Sequence, residues 1–373
     1  MKIKLSFYLP HLHSGGVERV IINLLRHLDR EKFQPLLILS KREGAMLELL
    51  PEDVQVIDLQ GLAMRKAIGK VAKHLRKHQV DIAYGGTNAA NLTLLLACRL
   101  ISPRPLIVAS EHATPRLFLD EAKWRTLRVF FMRLLYPWAD TIAVPLEDIG
   151  QELKSLLHAP QLPITVLPNP LVTPSEEPHP RNHETDSEAL FVAAGRLVPL
   201  KGFDILIKAF AKLVPKFPQT RLLILGEGPQ RLQLESLITQ LKLQNLVKMP
   251  GNVPDPTVYY KKAKALICAS RWEGFGNVMV EAMACGTPVI ATDCPVGPRH
   301  VLENGKSGLL VAPEDPEALA HAMSKLLSEP KLALQMSKQG LERARDFAVE
   351  PAVLAFQQMM VKMIQARQGR RAS

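Results

Sequence analysis

The chain has 373 residues, 47% of them hydrophobic and 22% charged, with a formal net charge of +11. These proportions exclude a disordered or fibrous protein, and the length calls for two domains rather than one core. The positive surplus predicts an anionic partner: nucleic acid, a membrane surface or a phosphorylated small molecule.

In chain order, Lys2 to Leu9 reads as an apolar strand closed by Pro10. After Gly15 and Gly16, the residues Val17, Val20, Ile21, Leu24, Leu25 and Leu28 recur on one face of a helix. Further strands are predicted at Pro35–Ser40, Val54–Leu59, Val80–Tyr84, Leu106–Ser110, Thr141–Pro145 and Ile164–Leu167, with helical patterns between them. Such alternation means a parallel sheet covered on both faces. Polar, proline-bearing residues 171–188 read as a linker. A second α/β series follows, with strands at Ala189–Ala194, Arg221–Leu225, Leu246–Met249, Ala265–Ala269, Pro288–Thr292 and Gly308–Val311. The expected organisation is therefore a domain over 1–170, the linker, a domain over 189–350, and a last helix in 351–373 returning to the first domain.

Open parallel sheets bind ligands beyond the carboxyl ends of their strands. In the first half those ends carry Gly15 and Gly16, Gly85 and Gly86, Glu111 and His112, and Pro168 and Asn169. In the second they carry Gly195 and Arg196, Gly226 to Gly228, and the run Glu273-Gly274-Phe275-Gly276-Asn277-Val278. One such turn is ordinary. The whole set predicts a ligand cleft between two facing doubly wound domains.

The densest stretch is EGFGNVMVEAMACGTPVIATD, residues 273–293. Its glycines let a ligand approach backbone N–H groups at a helix start near Asn277, where a phosphate is favoured. Glu273 and Glu281 flank that start and suit sugar hydroxyls. Arg196 and Lys201, at the preceding strand-to-helix junction, suit a diphosphate. These residues predict a ligand bearing both hydroxyls and phosphate.

The E-x7-E spacing of Glu273 and Glu281 resembles the signature of family-4 retaining glycosyltransferases of the GT-B fold, of bacterial surface-glycan type. GGVERV at 15–20, PNP at 168–170, GRLVPLKG at 195–202, LGEGP at 225–229 and NGKSGLLV at 304–311 follow in family order. The resemblance implies two Rossmann-like domains and sugar transfer from a nucleotide-diphosphate donor, UDP-linked, to a hydroxyl of a lipid-linked or growing glycan acceptor. It places Gly15 and Gly16 near the donor diphosphate, Arg196 and Lys201 on it, and Glu281 on the ribose. It places Glu273 and the backbone of Phe275 to Val278 on the donor sugar, His112 at the reacting centre, and Asn169, Gly195 and Gly228 around the donor. CPVGPRHVLENG, 294–305, keeps the family loop but puts His300 where a glutamate is common. An epimerase or phosphorylase on the same fold, or a silent GT-B scaffold, are the alternative readings.

No D-x-D occurs, so no metal is expected and no cofactor beyond the nucleotide-sugar co-substrate. His11 and His13 lack a third ligand in sequence and read as loop residues. The four cysteines form no C-x-x-C pair and read as reduced structural thiols. Neither a signal-peptide core nor a run of ~20 apolar residues is present, so a cytoplasmic protein is expected.

The charge is uneven. Residues 1–170 hold 22 Lys and Arg against 16 Asp and Glu, 171–353 hold 21 against 20, and 354–373 hold 4 against none. Two segments of the first domain are basic and apolar. One runs from Ala63 to Gln79, with Met64, Ile68, Val71 and Leu75 as its stripe. The other, Lys123 to Trp138, mixes Arg125, Arg128 and Arg133 with Trp124, Phe130, Phe131 and Trp138. They predict contact with an anionic membrane surface at its inner face. No nucleic-acid recognition motif occurs, so nucleic acid is not expected.

Overall fold

The computed structural model describes residues 2–13, 15–62, 64–115, 125–172 and 189–372. The predicted linker lies, apart from its first two residues, outside the described residues. Two compact units result: Met1–Leu171 together with Val349–Ser373, and Val172–Ala348.

In the first unit the strands are β1 (Ile3–Leu9), β2 (Phe33–Leu39), β3 (Gln55–Asp58), β4 (Ile82–Gly85), β5 (Leu106–Ser110), β6 (Thr141–Val144) and β7 (Ile164–Val166). They form one parallel sheet in the order β3-β2-β1-β4-β5-β6-β7. Strand β2 begins two residues before its predicted start and takes Pro35 inside. That proline is tolerated because its missing N–H faces β3, whose pairing begins only at Leu36. Phe7 in β1 lies 5.4 Å from the Tyr84 ring and stacks at 6.1 Å on Phe356 of the helix Val349–Ala372. Phe356 and Met360 are buried there, each contributing about 1.5–3 kcal/mol. Core burial thus fastens the end of the chain to its first strand.

The second unit has β8 (Ala189–Ala194), β9 (Thr220–Leu225), β10 (Val247–Gly251), β11 (Ala265–Cys268), β12 (Val289–Thr292) and β13 (Leu309–Val311). Their order is β10-β9-β8-β11-β12-β13, again all parallel. Phe191, Leu206, Phe210, Leu222 and Met323 form the middle of its core. Helix starts follow local rules. Asp315 caps Pro316–Ser328 by accepting from the N–H groups of Glu317 at 2.9 Å and Ala318 at 3.0 Å, with proline at the first helical position.

The two basic segments differ in what they bury. In Met64–Lys77, Ala67, Val71 and Leu75 are buried and the helix packs on Asn88–Cys98. Val71 and Leu75 of the predicted stripe therefore serve the core, leaving Lys66, Lys70, Lys73, Arg76 and Lys77 exposed. In Arg125–Leu135, by contrast, Leu127, Phe130, Phe131 and Leu134 stay exposed at 49%, 59%, 40% and 50%. Trp138 is not part of that face, because the Arg99 guanidinium lies 3.9 Å over its ring. Lys123 and Trp124 lie outside the described residues. No helix among the described residues is long and apolar enough to cross a membrane.

Candidate functional site

Strand order reverses at β1/β4 in the first unit and at β8/β11 in the second, and such switch points open a crevice at the strand carboxyl ends. In each unit the predicted residues follow the carboxyl ends of the strands.

In the second unit Lys201 follows β8 and Glu273 follows β11. The Lys201 ammonium donates to Glu273 Oε2 at 2.5 Å, and Ser270 Oγ donates to the same oxygen at 3.1 Å. The Glu273 side chain is 11% exposed and that of Lys201 25%. Burial pulls the Lys201 pKa down, but the Glu273 carboxylate outweighs it and holds the ammonium above its ordinary value. Lys201 is thus a fixed cation bonded to the first signature carboxylate. Arg196 is exposed and makes no ion pair among the described residues.

Gly276 caps the helix Asn277–Ala284 with φ +91°, a conformation that a side chain strains. Asn277 and Glu281 lie one turn apart on that helix, both partly accessible. Gly274 and Phe275 are buried in the loop before it, and Val278 is partly accessible. Val296 bridges to Glu273 and holds φ +77°, which is costly for a β-branched residue. Gly297 N–H donates to Glu273 O at 3.2 Å. The loop around 294–297 is therefore pressed onto the glycine loop, and the backbone strain sits beside the signature. Gly195 and Gly228 build the neighbouring turn. A Cβ on Gly228 would stand 2.5 Å from Leu197 O, and Leu197 N–H donates to Glu227 O at 2.9 Å. Gly228 thus serves packing of the Gly195–Leu197 turn.

A clamp unseen in the sequence holds the loop. Arg271 donates to both Asp204 oxygens at 2.8 Å, to Pro199 O at 2.7 Å and to Glu314 at 2.9 Å. Acid and base stand 67 residues apart, so no spacing signal exists. Arg271→Ala is expected to lower unfolding free energy by about 1–2 kcal/mol, measured by urea denaturation, because a bidentate, partly buried pair is lost. An unchanged midpoint would discard the clamp.

In the first unit Gly15 is the N-cap of the helix Gly16–His27. Glu18 folds back so closely that a Cβ on Gly15 would lie 2.1 Å from its Oε2. His11 Nδ1 is 3.6 Å from Glu18 Oε1, His13 Nε2 is 3.6 Å from Glu43 Oε1, and the two imidazoles are 4.2 Å apart. The histidine pair thus faces carboxylates of the following helix and of the loop after β2.

His112 follows β5. Ser110 Oγ donates its one proton to Gly85 O at 2.8 Å, so the contact of 3.0 Å between Ser110 Oγ and His112 Nε2 makes Nε2–H the donor. Nδ1 is then the free lone pair. Burial pushes the His112 pKa down to about 4, with Asn169 partly opposing, so the ring is neutral near pH 7. Asn169 itself is 3% exposed. A cavity of about 20 Å³ bounded by Tyr84, His112, Asn169 and Phe356 has room for one water.

Beside His112, Glu111 is buried and accepts from Tyr136 Oη, from Asn88 Nδ2 at 3.2 Å and from Asn91 Nδ2 at 3.1 Å. Burial raises its pKa, and these donors oppose the rise. In the sequence Glu111 is legible only as a strand-end acid. Its partners come from a helix and a turn that no motif links.

Two family descriptions match the chain. "Glycosyltransferase Family 4" covers residues 14–173, and "Glycosyl transferases group 1" covers 175–343. An uncharacterized glycosyltransferase of Haemophilus influenzae is 30% identical over 356 residues, covering 94% of this chain and 98% of its own. The chain belongs to the group 1, family 4 glycosyltransferases. It is also 27% identical over 354 residues to the Campylobacter jejuni N-acetylgalactosamine-N,N'-diacetylbacillosaminyl-diphospho-undecaprenol 4-alpha-N-acetylgalactosaminyltransferase, covering 92% of this chain and 95% of that one. Anabaena HepE, solved in complex with UDP and glucose, superposes with a TM-score of 0.82 at 21% identity over 96% of this glycosyltransferase and 100% of HepE. The fold is GT-B, and the chain is a glycosyltransferase of glycan biosynthesis.

Proposed function

We propose that this glycosyltransferase moves a sugar from a UDP-sugar to a hydroxyl of a lipid-linked or growing surface-glycan acceptor, with retention at the anomeric carbon. The observation that carries the reading is the constellation of half-buried Lys201 with buried Glu273 and Ser270 beside a positive-φ glycine cap, at the strand-order reversal of the second unit. Relatives named for diphospho-undecaprenol acceptors and a fold neighbour holding UDP and glucose support it.

In this reading Arg196 and Lys201 take the donor diphosphate, with the glycine-loop N–H groups adding to them. Glu281 and Asn277 take the ribose, and Glu273 with the backbone of Gly274 to Val278 takes the sugar. The bond from the anomeric carbon to the diphosphate oxygen breaks, and one to the acceptor oxygen forms on the same face. The acceptor proton passes to the departing diphosphate. Negative charge grows on that leaving group, so fixed cations there favour the transition state over the ground state. Neutral His112, with Asn169 beside it, borders the reacting centre and accepts a hydrogen bond at Nδ1. Gly15 and Gly16 are assigned to the donor diphosphate. No metal is required.

Membrane contact is assigned to Arg125–Leu135, whose Leu127, Phe130, Phe131 and Leu134 share one exposed face with Arg125, Arg128 and Arg133 nearby. The inner membrane face is the proposed location.

Transfer assays with a panel of UDP- and GDP-sugars and an undecaprenyl-diphosphate-linked acceptor test the reading. One UDP-sugar is expected to support turnover, and Arg196→Ala to raise its KM about tenfold as one charge-assisted contact is lost. Release of free UDP without acceptor glycosylation, or turnover with GDP-sugars alone, would refute the donor and acceptor assignment. Phe130→Ser with Phe131→Ser is expected to lower sedimentation with anionic vesicles, and unchanged sedimentation would remove the membrane role of this helix.

A further inference from the structure

At the amino ends of β1 to β3, opposite the end that carries Gly15, His112 and Asn169, the first unit has a second pocket of about 580 Å³, open to solvent on one side. That volume is of the size that takes small-molecule ligands. Its polar wall comprises Lys2, Lys4, Arg30, Asp53, Lys77 and His78.

The charges are not balanced within it. Asp53 is the one carboxylate of that wall, and Arg30 occupies both of its oxygens, Nε to Oδ2 at 2.5 Å and Nη2 to Oδ1 at 3.0 Å. Arg30 also donates to Leu28 O at 2.9 Å and Leu25 O at 2.7 Å, so it acts as a fixed strut. Asp81, at the same edge, spends Oδ2 on the main-chain N–H of Lys4 at 2.9 Å. Among the described residues Lys2, Lys4 and Lys77 form no ion pair, and the Lys4 ammonium has only Gln79 Oε1 at 3.2 Å. Burial lowers the pKa of His78, and the positive charges of Lys77 and Lys4 lower it further, so their field is felt across the pocket. Arg367 of the last helix donates to Asp81 O at 3.5 Å at this edge.

Lys2, Lys4 and Lys77 thus line one pocket with no carboxylate of their own, and such a cluster of like charge attracts an anion. Lysine recognises phosphate as a point charge with several donors, and a single carboxylate ligand would leave most of those donors unused. The other side chains here, Gln34 and Gln55, offer hydrogen bonds to neutral parts of a ligand.

We propose that this pocket binds a phosphorylated polyanion, a diphosphate or phosphomonoester group, at a site separate from the transfer site. The group belongs either to a soluble phosphorylated compound or to a lipid head group. It does not depend on the transfer reading, since it lies at the other end of the sheet.

Inorganic pyrophosphate is the probe, titrated calorimetrically into the full chain at low salt, where surface charge is least screened. Lys2→Gln/Lys4→Gln/Lys77→Gln is expected to weaken its binding at least tenfold. Two comparisons fix the place: Arg196→Gln in the second unit, and Lys66→Gln/Lys70→Gln/Lys73→Gln, which removes equal charge from the outward side of the neighbouring helix. Both are expected to retain the pocket's binding, and circular dichroism checks that each variant is folded. The second arm sediments the same variants with phosphatidylcholine vesicles with and without phosphatidylglycerol. Loss confined to the pocket variant in both arms names a head group, and loss of pyrophosphate alone names a soluble ligand. A pocket variant matching the wild type in both arms, or both lysine triples losing binding equally, overturns the proposal.

Discussion

Lys201→Ala is expected to reduce kcat by about 10²–10³-fold, the range seen when one preorganised donor to a developing negative charge is removed. The variant loses more than a charge. Glu273 is 11% exposed and keeps only the Ser270 hydroxyl at 3.1 Å once the ammonium at 2.5 Å is gone. An uncompensated carboxylate in that setting costs about 3 kcal/mol of stability. Glu273→Ala leaves Lys201 without its partner and is expected to cost a similar amount. The double variant discriminates. If the pair works as a unit, Lys201→Ala/Glu273→Ala is more stable than the sum of the singles predicts, yet no more active than either. Both are read by urea unfolding and steady-state kinetics. Additive losses in both measurements would break the assignment of the pair as one device. Lys201→Arg is informative beside them, since it keeps the charge but replaces a compact ammonium by a planar fork in a site shaped for the former.

The second large effect is in pH. Unfolded histidine titrates near 6.5, whereas His112 titrates at about 4 in the fold. Between those values the unfolded chain binds more protons, so stability falls as the pH is lowered from about 6.5 to about 4. The full difference is about 3 kcal/mol at 1.36 kcal/mol per unit. Glu111 works in the opposite sense. Its pKa is raised by burial, so the native state keeps its proton longer and stability falls as pH rises through the carboxylate range. The wild-type curve therefore contains two opposing slopes, and the difference from His112→Gln isolates the imidazole. That difference is expected to shrink steadily from pH 7 to pH 4 in urea titrations. The same neutral ring predicts no change in kcat/KM near pH 6.5 from this group, with its acid limb near 4. A difference curve that is flat with pH would show that His112 is not desolvated.

How much of this was legible beforehand differs between fold and site. All thirteen strands of the described residues were readable, because strands buried on both faces are near-continuous apolar runs that end at glycine, proline or a polar turn. Boundaries moved by a residue or two where pairing, and not composition, decides the end, as at Pro35. The glycines and acids at the strand carboxyl ends were readable as well, since a sharp turn and a ligand-facing helix start need those residue types locally. The Lys201–Glu273 ion pair was not, for its members are 72 residues apart. Nor were Arg271 with Asp204, or Glu111 with Asn88, Asn91 and Tyr136. The two basic amphipathic segments also looked alike in sequence. Packing separated them: one buries its stripe on Asn88–Cys98, and the other leaves its phenylalanines outside.

From the sequence alone came two α/β units, the family, and the strand ends where the chemistry resides, because hydrophobic period and turn chemistry are local properties. Strand order, and with it the meeting of β8 with β11, belongs to the tertiary structure. Pairing among parallel strands is set by crossover packing over the whole domain, so only the fold could decide that Lys201 faces Glu273. Composition likewise supplied the excess of 22 basic over 16 acidic residues in 1–170. Where that charge stands without an ion-pair partner, at Lys2, Lys4 and Lys77, was decided by folding, since the one carboxylate lining their pocket, Asp53, is held by Arg30.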